Sequence, residues 1–159
     1  MENSLDISKQ ALWQIMERVS DPEIPVLSVV DLGIIRDILV HPEWIEIVYT
    51  PTYSGCPAMD VIRGEIKKAL EERGWHTVKL TQKLSPAWTT DWMTEEGKRK
   101  LRDFGIAPPV ASGPAPHPVS CPHCGSARTE LLSQYGSTAC KALYRCMDCL
   151  EPFDYFKCH

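Results

Sequence analysis

The sequence predicts an α+β chain in two parts: a two-layer domain with elements in the order α-β-β-α-β, then a small carboxy-terminal module held together by metal. Three observations predict this. Apolar residues recur at three-to-four spacing in two segments, Ala11 to Val19 and Ile62 to Leu70, as on one face of a helix. Between and after them lie short segments with the period-two alternation of strands. The last forty or so residues carry two Cys-x2-Cys pairs in a stretch too short to bury a core of its own, since chains under about 40 residues usually need disulfides, metals or a partner.

The first helix is expected from about Ile7 to Val19, with Ala11, Leu12, Ile15, Met16 and Val19 as its apolar stripe. Asp21-Pro22 ends it. The stretch DPEIPVLSVVDLGII holds two prolines and a glycine, so it begins as an extended loop and runs into a strand near Ile34 to Val40. His41-Pro42-Glu43 makes a turn, and WIEIVYT alternates Ile45, Ile47 and Tyr49 on one face of a second strand, hairpinned to the first. After PTYSGCP a second helix runs from about Ala58 to Arg73, with Ile62, Ile66, Ala69 and Leu70 as its seam and Gly74 as its stop. WHTVKLTQKL alternates as a third strand, and SPAWTTDWM is an aromatic loop. Thr94 then caps a short helix with Glu95 and Glu96 in its first turn and Gly105 at its end. Proline with small residues in APPVASGPAPHPV favours an extended tether. The expected division is therefore a domain at 1–106, a linker at 107–119 and a metal module at 120–159.

Composition excludes several functions. With 43% hydrophobic and 24% charged residues the chain is an ordinary globular one. A formal net charge of -4 argues against a surface that tracks phosphates, so nucleic acid is not an expected partner. The start, MENSLDISKQ, has no secretory pattern, and no stretch approaches the ~18 apolar residues of a membrane span. A soluble cytoplasmic protein is expected. Seven cysteines, an odd number, fit metal ligation or thiol chemistry better than a disulfide framework.

Cys121 and Cys124 in CPHC, and Cys146 and Cys149 in CMDC, have the spacing at which both thiolates of a pair reach one ion from a tight turn. Four sulfur ligands in a closed tetrahedron suit a structural zinc. The flanking segments ARTELLSQYG, KALYRC and EPFDYFKC read as the strands of a zinc ribbon, with Tyr144, Phe153, Tyr155 and Phe156 in its thin apolar layer. The same ligands bind iron for electron transfer, which is the alternative. Cys140, Cys158 and His159 read either as packing at the last strand or as a second soft-metal or redox site; their spacing is not a ligand signature.

Cys56 stands in Ser54-Gly55-Cys56-Pro57, at the start of the second helix, where proline is favoured at the first helical position. Backbone N-H groups and the helix dipole favour an anion there, so Cys56 is a candidate metal ligand or nucleophile and also an ordinary packed side chain. Asp21 and Glu23 offer oxygen ligands, while Asp21 equally serves as the terminator of the first helix. His41 and His76 read as surface residues, and Trp88 and Trp92 as packing.

DPEIPVLSVVDLGII followed by PTYSGCPAMDVI resembles the cytosolic iron-sulfur assembly domain family over roughly residues 8 to 85. The positions that carry the resemblance are Asp21, Pro22, Glu23, Asp31, Gly33, Thr52, Cys56 and Pro57. That domain joined to SPAWTTDWMTEEGKRKLRDFGIAPP, a proline tether and the cysteine pairs is similar to the D-subunit family of bacterial phenylacetyl-CoA epoxidase systems over essentially the whole chain. The resemblance implies an accessory component in aerobic phenylacetate degradation, not the di-iron catalytic subunit. Such a component would assist iron or iron-sulfur cluster assembly in a client, with Cys56, Asp21 and Glu23 handling transient iron or a cluster, the ribbon zinc being structural. Its partners would be the reductase or oxygenase subunits. The rival readings are a structural adaptor of the complex and an electron carrier with iron in the ribbon.

Overall fold

The computed structural model describes residues 9–53, 55–109 and 119–157. They form two compact units, divided between Trp88 and Thr89. The first contains α1 (Lys9–Met16), β1 (Ile35–Val40), β2 (Ile45–Tyr49), α2 (Ala58–Glu71) and β3 (Val78–Gln82). These are the predicted elements in the predicted order. β1 and β2 are the antiparallel hairpin expected, with Ile38 opposite Ile47 and Val40 opposite Ile45. A bulge between Ile35 and Asp37 puts both Ile35 and Ile38 on the buried side, which strict alternation would not allow.

β3 lies on the other side of β2 and runs parallel to it, because α2 carries the chain back across the sheet. α2 pairs its apolar seam, Ile62, Ile66 and Leu70, with α1 and the sheet; all three are buried, as are Leu12 and Met16 of α1 and Ile45 and Ile47 of β2. Burying a side chain of this size contributes about 1.5–3 kcal/mol, and this layer is the core of the unit. The long connection from α1 to β1 is not loose. Asp21 donates its backbone N-H to Leu27, Val29 donates to Val19, and Ser20 and Ser28 form an antiparallel bridge, so the loop closes on itself before β1 begins.

The second unit contains a 3-10 turn (Thr90–Trp92), α3 (Glu95–Asp103), β4 (Ile106–Ala107), β5 (Thr129–Ser133), β6 (Lys141–Cys146) and β7 (Pro152–Phe156). Thr94 caps α3 as expected, its hydroxyl accepting from the Gly97 N-H at 2.9 Å. β5, β6 and β7 are the three strands read from the sequence. They continue into β4 in the sheet order β4-β7-β6-β5, with Ile106 beside Asp154 and Ala107 beside Tyr155 in parallel register. One face of this sheet carries Ala142, Tyr144, Phe153 and Tyr155, which pack with Ala107, Val119, Cys121 and Cys146. On the opposite face Ile106, Lys141 and Phe156 are also buried, and α3 packs on β4.

The boundary therefore differs from the expected 1–106. α3 and β4 cluster with the cysteine module, because β4 supplies a strand to its sheet. Two residues are too few to show a strand period, which hid this from the sequence. Of the expected linker at 107–119, residues 110–118 lie outside the described residues. Among the described residues no helix is long and apolar enough to cross a membrane.

Candidate metal centre and the Cys56 pocket

The four paired cysteines meet at one point. Each knuckle is a tight turn: the Gly125 N-H donates to the Cys121 carbonyl at 2.9 Å in the first, and the Cys146 N-H donates to the Glu151 carbonyl at 3.0 Å in the second. The residue after each second cysteine has positive φ, Gly125 at 78° and Leu150 at 65°. These turns bring all four sulfurs within 4.8 Å of one another. Cys121 Sγ lies 3.7 Å from Cys149 Sγ and Cys124 Sγ 3.5 Å from Cys146 Sγ. A tetrahedral ion with metal-sulfur bonds of ~2.3 Å has sulfur-sulfur edges of about 3.8 Å, so the donor set fits a four-coordinate thiophilic metal.

Electrostatics agree. Backbone N-H groups already point at the sulfurs: His123 donates to Cys121 at 3.4 Å, Asp148 to Cys146 at 3.4 Å and Cys149 to Cys146 at 3.5 Å. The Cys149 N-H, with that of Asp148, lowers the Cys146 thiol to about 6. A backbone hydrogen bond from Glu151 pulls Cys149 the same way, yet burial and the sulfurs of Cys146, Cys121 and Cys124 push it up to about 12. Cys124 is likewise raised, with the Ser126 backbone opposing and the Cys146 sulfur foremost among the causes that raise it. One thiolate among these sulfurs makes the next unfavourable; a bound cation removes the conflict.

α3 reaches this centre from the side. Gly105, at φ 86°, ends the helix, and a Cβ there would lie 3.4 Å from His123 Cε1 in the first knuckle. Arg102 lines a pocket of about 420 Å³ with Cys121, Pro122 and Gly125.

Cys56 is nearly buried, 9% exposed, and immediately precedes Pro57 and α2 as expected. Its carbonyl accepts from the Met59 N-H at 3.1 Å. It lines a small open pocket of about 170 Å³ with Pro51, Met59, Asp60, Arg63 and Gln82. Arg63 donates to the Tyr49 hydroxyl at 3.1 Å and pairs with Asp60, and Tyr49 Oη lies 3.3 Å from Gln82 Oε1. Tyr49 first, then Asp60, raises the Arg63 pKa above its ordinary value, so a fixed cation stands on the rim of the pocket. Sequence reading missed Arg63 and Gln82 and placed Tyr49 only on one face of the second strand. The available signal was Asp60 and Arg63 at i, i+3 in the first turns after Cys56.

Asp21, Glu23 and Cys56 do not converge as one three-residue ligand group. Asp21 Oδ1 accepts from the N-H groups of Glu23 and Ile24 at 2.7 and 3.0 Å, which fixes the loop after α1. Asp21 lines a separate groove of about 560 Å³ between that loop and α2. Among the described residues, the four paired cysteines are the one group of three or more cysteine, histidine or acidic residues that converges. Asp31 shares the structural habit of Asp21: its Oδ2 accepts from the Ser28 N-H, and the Ser28 hydroxyl accepts from the Asp31 N-H, each at 3.0 Å. Cys140 is buried, its sulfur 3.0 Å from the Thr138 hydroxyl; Cys158 and His159, its expected companions, lie outside the described residues. His41 stacks on Trp44 at 3.8 Å, and Trp88 is buried with its indole N-H donating to the Leu32 carbonyl at 2.7 Å.

A small α+β domain with a cysteine at the start of its second helix, followed by a four-cysteine β-ribbon, defines an iron-sulfur-assembly-type domain joined to a metal module. Family comparisons agree part by part: residues 9–79 match the iron-sulfur cluster assembly protein family, and residues 106–157 match the PaaD zinc beta ribbon domain. An Escherichia coli (strain K12) protein, provisionally named as the D-subunit of 1,2-phenylacetyl-CoA epoxidase, is 49% identical over 150 residues, covering 92% of this chain and 91% of its own. The chain belongs to this D-subunit family of phenylacetyl-CoA epoxidases. A Bacillus subtilis (strain 168) protein named Fe-S protein maturation auxiliary factor YitW is 34% identical over 105 residues, 64% of this chain and 97% of that one. Among solved structures, a DUF59 domain from Bacillus anthracis superposes with a TM-score of 0.54 at 26% identity, over 58% of this chain and 90% of that chain. A conserved hypothetical protein from Thermotoga maritima gives 0.53 at 26%, over 62% and 98%.

Proposed function

We propose that the chain is a cytoplasmic accessory component of a phenylacetyl-CoA epoxidase system, one that assists iron or iron-sulfur cluster assembly in a client component and is not the catalytic subunit. The observation that carries this reading is the pairing, in one chain of the epoxidase D-subunit family, of an assembly-type domain related to a maturation factor with a metal ribbon. Cys56 is the handling thiol. It lies in a pocket open to solvent, at a helix start, with the Arg63 cation on the rim to offset the negative charge of a thiolate-bound cargo. The cargo, iron or a cluster, is substrate here and leaves with the client, which is the reductase or an oxygenase subunit.

Cys121, Cys124, Cys146 and Cys149 hold one structural zinc. Its chemistry when bound is that of a closed four-sulfur cross-link, with no coordination position left for a reactant. The protein's own part is to aim backbone N-H groups at the thiolates and to pack Tyr144, Phe153 and Tyr155 beside them. Absorbance of the purified protein distinguishes zinc, which is silent, from ferric iron on four sulfurs, which is coloured.

A specific observation favours an adaptor role for the ribbon: Leu131, Leu132, Tyr135 and Leu150 are large, apolar and exposed. The two readings separate on reconstitution of the epoxidase with wild-type protein or Cys56→Ser. Loss of client iron or cluster content with the variant, at unchanged co-purification, is the expected result. Full cluster content and activity with Cys56→Ser would leave the adaptor role standing and reject the thiol's.

A further inference from the structure

We propose that Asp148 is a positioning residue for the metal centre, a clamp that ties the two cysteine knuckles together and sets the affinity for the ion. The proposal rests on the four cysteines holding a metal. Asp148 lies between Cys146 and Cys149, and its backbone N-H donates to Cys146 Sγ at 3.4 Å. Its carboxylate reaches across to the chain that leaves the first knuckle. Oδ2 accepts from the Ser126 hydroxyl, and Oδ1 accepts from Arg128 Nη1 at 2.6 Å.

Ser126 and Arg128 are in turn fixed to both knuckles. The Ser126 carbonyl accepts from the Cys121 N-H at 2.9 Å, and its hydroxyl accepts from the Arg128 N-H at 3.0 Å. The Arg128 carbonyl accepts from the Met147 N-H at 2.7 Å. Both oxygens of one carboxylate thus join two turns that are distant in sequence, while its own backbone serves a sulfur ligand.

Asp148 is 41% exposed and Arg128 72%, so their Coulomb attraction is weak in water. What the network supplies is geometry. The clamp holds the two turns at sulfur-sulfur separations of 3.5–3.7 Å, which one tetrahedral ion spans; without it, binding must also fix the turns against each other. Partners of this kind around metal ligands typically change affinity about 10- to 100-fold.

The test loads the full chain with Co²⁺ and titrates with a chelator of known affinity, comparing wild type, Asp148→Ala, Ser126→Ala and the double variant. Asp148→Ala is expected to weaken binding at least about 10-fold, with the sulfur-to-cobalt charge-transfer band unchanged in intensity because all four ligands remain. The double variant is expected to be no weaker than the poorer single one, as for residues acting through one network. Asp148→Asn keeps an acceptor for Ser126 and Arg128 and is expected to recover part of the affinity. Asp148→Ala within about twofold of wild type, a strictly additive double variant, a diminished band, or Asn no better than Ala would each overturn the clamp. A wild-type chain that takes up no Co²⁺ would instead reject the metal centre itself, and the clamp with it.

Discussion

Leu150 occupies the position in the second knuckle that Gly125 occupies in the first, and both are in the left-handed region. For a leucine this conformation costs roughly 1–2 kcal/mol that glycine avoids, offset in part by the greater freedom glycine has when unfolded. Leu150→Gly is therefore expected to raise the stability of the metal-loaded ribbon by up to about 1 kcal/mol, read as a higher thermal midpoint. Its side chain is 66% exposed, so little packing is lost. At this scale the sequence told most where chemistry constrains spacing: the convergence of four cysteine sulfurs follows from two Cys-x2-Cys pairs alone. Asp21 shows the limit. A carboxylate in a loop reads equally as a ligand or a backbone acceptor, and only coordinates reveal its bonds to the Glu23 and Ile24 N-H groups. Arg63 and Gln82 went unread for a similar reason, since their meeting at Tyr49 depends on β3 returning beside β2.

Elements with a clear period were legible, and those without were not. α2 announced itself through Ile62, Ile66 and Leu70, and α3 through its Thr94 cap and acidic first turn. β4 has two residues and no period at all, so its membership of the ribbon sheet had to come from pairing. The same holds for the direction of β3, which periodicity cannot specify. α3 is short and rich in charge, with Leu101 its fully buried apolar side chain, so its hydroxyl cap matters more than in a long amphipathic helix. Thr94→Ala is expected to destabilise the second unit by about 1 kcal/mol, measured by thermal unfolding of metal-loaded protein. Reconstitution with Cys56→Ser belongs to the start of α2: serine keeps the size and the Met59 turn, so the first unit's unfolding transition should stay in place while cargo handling is lost.

On the scale of the whole chain, the two units differ in what packs inside each of them. The first is a helix-covered sheet with an apolar layer of its own, whereas the second has a thin aromatic layer beside four sulfurs. Metal removal is accordingly expected to unfold β5, β6 and β7 and, because β4 pairs with β7 and α3 packs on β4, to release α3 as well. Amide exchange after chelation checks this: protection should vanish from Glu95 onward and persist in β2 and α2. Retained protection in α3 would show that the helix does not depend on the ribbon.

The strand order also governs the sequence of events at the ribosome. β7 comes last among the described strands but is interior in its sheet, flanked by β4 on one side and β6 on the other. Ile106 and Ala107 emerge well before the segment that pairs with them, and the second knuckle closes only just ahead of it. The ribbon sheet cannot close without residues 152–156, so a chain truncated before them is expected to leave β4 without its partner strand and β6 with an open edge.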